Sequence, residues 1–398
     1  MQTHHQRLDT RHVSLALCGV AAFLNIYTPQ PLLNELANSF GMAPAATTLC
    51  ISATTLGIAM AAPFAGGLSD RLGRKRVVVL ATALLALPTL LCALSTSFQF
   101  FVALRFVQGL LVPAIFSAAS AYIGDEFSSQ ELPSKIGIYV AGTTCGALLG
   151  RLLPGWCAAE WGWSGAFAAS AAVTLLLAFL VHIGLPTEKS VVRAHGRSTG
   201  HAVLSLMRDA RLVITLLVGS GLLLSQVAIF SGVSLLLAEP PYQFGPRAIS
   251  SIYAIFLAGV VAAPVCSRFV PWVSHRAVIA VALCCSVFGI ALTQLPSLPM
   301  LIVGLGFFST GIFVCQAIAN SYLNSIVHQD RALAIGLYLS CYYLGGTVGA
   351  LVPGMLWESF RWPGISVFAL LGTVATALAA WHGWQPVEQQ GVHSFHPL

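Results

Sequence analysis

Charge is what this sequence has least of. Of its 398 residues only 8% are charged, with 13 Asp and Glu against 19 Lys and Arg; an average globular chain carries roughly 25%. Missing motifs narrow the chemistry further. There is no G-x-x-x-x-G-K-[ST] phosphate loop, so ATP does not drive this chain directly. Neither a G-x-S-x-G elbow nor an H-E-x-x-H pair occurs. The ten cysteines contain no C-x-x-C and lie almost entirely in apolar stretches, where a thiol behaves as a small hydrophobe. The eleven histidines fall in tails, loops or helix ends. We therefore expect no catalytic residues, no metal and no cofactor. The acids also avoid the middle of the long apolar runs. The nearest candidates for a proton site are Glu35, just past the first run, and Asp70.

What the sequence does have is apolar length. It is 57% hydrophobic, with a mean hydropathy of +0.83. A helix that crosses a bilayer needs ~20 mostly apolar residues. Twelve such stretches start near Val13, Ala45, Val77, Phe98, Ile136, Gly165, Leu212, Ile249, Ala277, Leu298, Ala332 and Gly364. The first runs past Leu24 without a small-residue cleavage site, so it reads as a crossing helix and not as a signal peptide. The net charge of +6 raises the question of nucleic acid, but its distribution points to a membrane. With both ends of the chain on one side, that side holds fifteen of the 19 Lys and Arg residues. The other side holds Arg247 and Arg361, and Arg105 and Arg151 fall inside helices. This is the positive-inside bias, which places both termini in the cytoplasm and removes the need for a nucleic-acid partner.

The second half of the chain repeats the first. Gly146, Gly150, Pro154 and Gly155 recur 199 residues later as Gly345, Gly349, Pro353 and Gly354. Gly137-Ile138-Tyr139 returns as Gly336-Leu337-Tyr338, and Trp161-Gly162-Trp163 as Phe360-Arg361-Trp362. Pro63 and Arg74-Lys75 align with Pro264 and His275-Arg276. The division expected is an N-terminal six-helix half over 1–186, a basic linker over 187–211, a C-terminal half over 212–385 and a tail over 386–398. The copies differ in their ions. Pro271 stands opposite Asp70, Ala350 opposite Arg151 and Gly306 opposite Arg105.

Charge is concentrated in one place, Gly66-Gly67-Leu68-Ser69-Asp70-Arg71-Leu72-Gly73-Arg74-Lys75-Arg76, between two apolar runs. The Arg and Lys residues alone would serve as a membrane anchor; an Asp and glycines at fixed offsets ask for more. The stretch resembles the loop between the second and third helices of the major facilitator superfamily of transporters, Gly-x-Leu-Ala-Asp-Arg-x-Gly-Arg-Lys, with Ser69 the one departure. Arg105-x-x-Gln108-Gly109 is similar to that family's fourth-helix pattern. Tyr27-Thr28-Pro29-Gln30-Pro31 is similar to the first helix of its bacterial arabinose-efflux-like exporters and drug:proton antiporters. Gly142, Gly146 and Gly150 match the family's antiporter motif in part, with Arg151 and Pro154 departing from it.

The resemblance implies an all-α polytopic membrane protein of twelve helices in two pseudo-symmetric halves. It further implies a monomer in the bacterial inner membrane that exports a small molecule in exchange for protons. Gly66, Asp70, Arg71, Gly73, Arg74, Lys75 and Asp125 would form a conformational latch acting against the start of the eleventh helix near Arg331. Asn25, Tyr27, Arg105, Gln108 and Arg151 are expected at the substrate cavity. Its second wall is expected from Gln226, Gln316, Asn320 and Tyr342, with Gln316 and Asn320 four apart on one helix face. Each of these also fits plain helix–helix bonding, and each arginine fits a role binding helix-end carbonyls. If Arg105 and Arg151 both face a cavity, the alternative is import or exchange of a small organic anion. A non-transporting membrane sensor would need a soluble output domain, and no loop is long enough for one.

Overall fold

The structure, a computed structural model, describes residues 2–128, 130–188, 199–268, 273–327 and 330–384. Much of the expected linker, the tail from 386 onward and Pro271 lie outside the described residues. Among the described residues every regular element is helical: α1 Gln2–Leu24, α2 Leu33–Phe40, α3 Leu49–Leu72, α4 Arg74–Ala93, α5 Phe98–Glu126, α6 Leu132–Gly184, α7 Thr199–Met207, α8 Ala210–Ala238, α9 Pro246–Ile252, α10 Phe256–Ser267, α11 His275–Leu292, α12 Leu298–Ile326 and α13 Arg331–Gly383. Among the described residues nine spans are long and apolar enough to cross a membrane. Two of these, Ser134–Gly184 and Leu333–Gly383, have 51 residues each. At ~1.5 Å per residue that is about 75 Å, more than twice a ~30 Å hydrocarbon core.

Each long helix is in fact a hairpin. The backbone leaves helical geometry at Gly162 (φ 67°, ψ 176°) in α6 and at Arg361 (φ 51°, ψ −147°) in α13. Gly162 takes a positive φ without cost, whereas Arg361 is strained there. Its guanidinium is held by Glu239 at 2.8 Å and lies 5.5 Å over the Trp357 ring. With both hairpins divided, and with α1 continuing through the 3-10 turn Gln30–Leu32 into α2, the described helices fall into twelve apolar segments. Helix ends then alternate between two faces. Asp70, α7 and Trp384 share one face, called here the Asp70 face; Gly162 and Arg361 mark the opposite one.

Small residues set the packing. A methyl group on Gly142, Gly146 or Gly150 of α6 would collide with the backbone of Ala16, Val20 or Leu24 of α1. In the second half, Gly345 and Gly349 of α13 press in the same way on Ser220 and Leu224 of α8. The repeat read from the sequence is thus a repeat of one close helix crossing. Large apolar side chains such as Phe64, Val281 and Met355 point outward, each more than 70% exposed, as a lipid-facing surface requires.

The halves meet along a seam made mainly by α3 against α13 and by α6 against α9. Ser340 donates to the Ala59 carbonyl. Thr55 and Thr347 bond at 3.0 Å, and Ser52 donates to the Thr347 carbonyl at 3.3 Å. Gln30 donates to Ser231 at 3.3 Å, Ser250 donates to the Arg151 carbonyl, and Arg247 pairs with Glu160. These bonds run from Ala59, near mid-membrane, to the opposite face.

Candidate functional site

The turn at the Asp70 face is built around one arginine. α3 ends at Leu72, and Gly73 (φ 93°, ψ 141°) starts α4 at once. A side chain on Gly73 would be strained and would meet the Glu188 carboxylate, which accepts from the Lys75 backbone N–H at 3.3 Å. Arg74, four residues after Asp70, pairs with it across the turn and reaches Asp125 of α5 with Nε at 3.1 Å. Its Nη1 also donates to Ser69 Oγ at 2.6 Å, and Ser69 donates to the Gly66 carbonyl at 3.0 Å. The residue that departs from the family pattern therefore joins the cluster. Arg71 is exposed and makes no bond among the described residues. The Lys75 side chain stays outside the network too. The partners of Arg74 all belong to the N-terminal half, and Glu188 to the start of the linker. Arg331, the expected partner across the halves, donates instead to Asn324 at 2.8 Å. In this conformation the cluster is closed on itself and does not bridge the halves.

Arg105 has a different place from the one expected. After Leu24 the chain leaves helical geometry. The Asn25 carbonyl would accept from residue 29, but Pro29 has no N–H. The Ile26 carbonyl would accept from Gln30, whose N–H goes to Tyr27 O at 3.0 Å. Arg105 supplies both missing donors, with Nη1 on Asn25 O at 2.9 Å and Nη2 on Ile26 O at 2.5 Å. Nε reaches Cys50 O at 3.4 Å, and Nη1 also bonds Gln108. Gln108 donates to Thr89 at 2.6 Å, and Asn25 donates to Thr174 at 2.8 Å. Arg105 and Gln108 are fully buried and Asn25 nearly so. The network ties α1, α3, α4, α5 and α6 together inside the N-terminal half. The structure thus buries Asn25, Arg105 and Gln108 in that half's core. An orphan carbonyl at this depth would cost several kcal/mol, which explains why a cation is buried with no acid beside it.

Arg151 lies between the halves. It is eleven residues before the Gly162 break, or ~16 Å along the helix. Its Nε donates to Gln30 Oε1 at 2.8 Å and its Nη1 to the Ala147 carbonyl at 2.8 Å. The guanidinium carbon is 4.1 Å from the Tyr27 ring centroid, 4.8 Å from that of Phe256 and 5.5 Å from that of Tyr253. Tyr27 belongs to the N-terminal half; Tyr253 and Phe256 belong to the C-terminal half. Such stacking on ring faces stabilises a desolvated cation. Tyr342 and Tyr343 of α13 also lie within electrostatic reach. Among the described residues no carboxylate pairs with Arg151.

The second wall is only partly assembled. Tyr342 is buried, stacks on Tyr338 at 6.0 Å and meets Tyr343 edge-on at 5.4 Å. Gln226 is buried, Gln316 half-buried and Asn320 exposed, and none makes a side-chain hydrogen bond among the described residues. The structure brings Tyr27, Arg151 and Tyr342 into one neighbourhood, whereas Gln226, Gln316 and Asn320 make no bond to it. Phe256 and Glu188 escaped the sequence reading. Phe256 sits in an ordinary apolar run, and Glu188 looks like a solvated loop acid.

A Major Facilitator Superfamily model matches residues 15–329. The chain is 28% identical over 349 residues to the MFS-type transporter YybF of Bacillus subtilis (strain 168), covering 87% of this chain and 86% of that one. It is 28% identical over 375 residues to the inner membrane transport protein YnfM of Escherichia coli (strain K12), covering 92% and 89%. Among solved structures, a D-xylose-proton symporter superposes with a TM-score of 0.78 at 14% identity, over 96% of this chain and 99% of that one. At that identity the likeness concerns the fold.

Proposed function

We propose that this chain, which belongs to the Major Facilitator Superfamily and is a multi-pass membrane transporter, moves a small molecule by alternating access, its two six-helix halves rocking about a site between them. The observation that carries this reading is the seam. The bonds that join the halves lie between Ala59 and the opposite face, while the Asp70 cluster is satisfied within one half. A conformation that closes the Asp70 face can form by exchanging those seam bonds for new ones near Arg331, and the cluster then acts as the latch. The Asp70 face lies in the cytoplasm of a bacterial inner membrane, with both termini, because it carries most of the Lys and Arg residues.

The direction we propose is efflux in exchange for protons. Glu35 supports it, since one of its carboxylate oxygens is buried without a hydrogen-bond partner on the same segment as Tyr27 and Gln30. The test uses purified protein in liposomes with a trapped pH dye, an imposed pH gradient, and drugs, sugars, amino acids and organic acids added in turn. Proton movement that depends on one compound and is lost in Asp70→Asn supports the reading. Substrate flux with no proton signal would remove the antiport step, and no flux of any compound would remove the reading itself.

A further inference from the structure

We propose that the Arg151 site binds a small aromatic carboxylate. This rests on the transport reading and adds the class of molecule carried. Burying a cation without a counter-ion is costly. Arg105 offsets that cost with backbone carbonyls, but Arg151 has only one carbonyl and one amide oxygen. Its Nη2 donates to no protein acceptor among the described residues, so one edge of the guanidinium remains for a ligand. Packing alone does not call for arginine here. The repeat-related residue in the C-terminal half is Ala350, which is fully buried. Groups from both halves surround the guanidinium, so a bound ligand would be shared between the parts that rock.

The surroundings select among anions. A carboxylate offers two coplanar oxygens to a guanidinium edge. One cation balances one negative charge, which disfavours phosphate and dicarboxylates, since Arg105 is already consumed by the fold. Tyr342, within electrostatic reach of Arg151, supplies an aromatic ring beside the site, on which an aromatic ligand can stack. A sugar or an amine has no use for an unpaired buried cation.

The test is equilibrium binding to the purified full-length protein in nanodiscs, read by intrinsic tryptophan fluorescence. The probes are benzoate, acetate, benzyl alcohol and inorganic phosphate. Saturable benzoate binding is expected, with acetate, benzyl alcohol and phosphate all weaker. Arg151→Gln should weaken benzoate by about tenfold or more, since charge-assisted bidentate bonds are the strong ones. Arg151→Lys, which keeps the charge and guards against a folding defect, should fall between. Equal affinity for benzyl alcohol, wild-type affinity in both variants, or no benzoate binding to folded wild-type protein each overturns the proposal. If another compound is transported while benzoate fails to bind, the substrate class is wrong and the transport reading stands. If benzoate binds at Arg151 but neither it nor any other compound crosses, the transport reading fails instead.

Discussion

The guanidinium of Arg151, in the N-terminal half, lies 4.8 Å from the ring centroid of Phe256 in the C-terminal half. The contact holds the seam as well as the cation. A desolvated cation–π contact is worth about 1–2 kcal/mol, so its loss should shift the balance between closed and open seams by about five- to thirtyfold. Arg247 and Glu160 pair across the same seam at the opposite face, which suits them to a disulfide reporter. With Glu160→Cys and Arg247→Cys in a background whose native cysteines are serine, cross-linking should slow in Phe256→Ala, by up to that factor. An unchanged rate would show that the rings do not help to close this face.

Arg74 and Lys75 are adjacent and both basic, yet they should respond oppositely to exchange. Arg74 reaches two carboxylates and the Ser69 hydroxyl at once, which a planar fork can do and a single ammonium cannot. Lys75 contributes its backbone N–H to this cluster. Arg74→Lys should lower the initial transport rate in liposomes about tenfold, as should Asp70→Asn, with folded protein still present by gel filtration. Lys75→Arg should leave the rate within a factor of about two. Wild-type transport by Arg74→Lys would sink the idea that the fork is needed.

Much of this could be read in the sequence because apolar chains leave few residues to carry signal. Asp70, Arg74 and the glycines stand out against their background, and the offset of 199 between Gly150 and Gly349 reappears as one helix crossing made twice. What stayed hidden was pairing. Arg105 and Arg151 look alike in sequence, each a lone cation in an apolar helix. They differ in what they face, and that is set elsewhere. Pro29 frees the carbonyl that Arg105 binds, while Phe256 reaches Arg151 only once the halves have docked. Helical periodicity places a residue on a face; it says nothing of which half that face will meet. In this conformation the partner expected across the halves for the Asp70 cluster is engaged nearby instead, with Arg331 donating to Asn324.

Arg105 should behave as part of the fold and not as a ligand anchor. Removing it strands the Asn25 and Ile26 carbonyls and leaves the Gln108 side-chain carbonyl without its donor. Each buried acceptor left unsatisfied costs about 1–3 kcal/mol. Arg105→Ala should therefore lower the melting temperature in detergent by several degrees and reduce yield. Whatever protein survives should keep its substrate affinity within a factor of about three. A variant of wild-type stability with no substrate binding would return Arg105 to the cavity.

The glycine stripe makes the last prediction, and it uses the repeat as its own control. An added methyl on Gly146 would collide with the Val20 backbone, and one on Gly349 with the Leu224 backbone. Backbone cannot swing aside as a side chain can, so α1 must move away from α6, or α8 from α13. Gly146→Ala and Gly349→Ala should each destabilise by about 1–3 kcal/mol, the usual range for overpacking, even though alanine is the better helix former. Gly137 lies in the same helix as Gly146, and a methyl there meets nothing within 4 Å. Gly137→Ala should then be neutral or slightly stabilising. Thermal unfolding in one detergent, followed by circular dichroism, compares the three directly. If all three shift alike, intrinsic helix propensity governs these positions and the close crossings do not. If the two stripe variants fall together while Gly137→Ala holds, the repeated crossing is what joins the helices within each half.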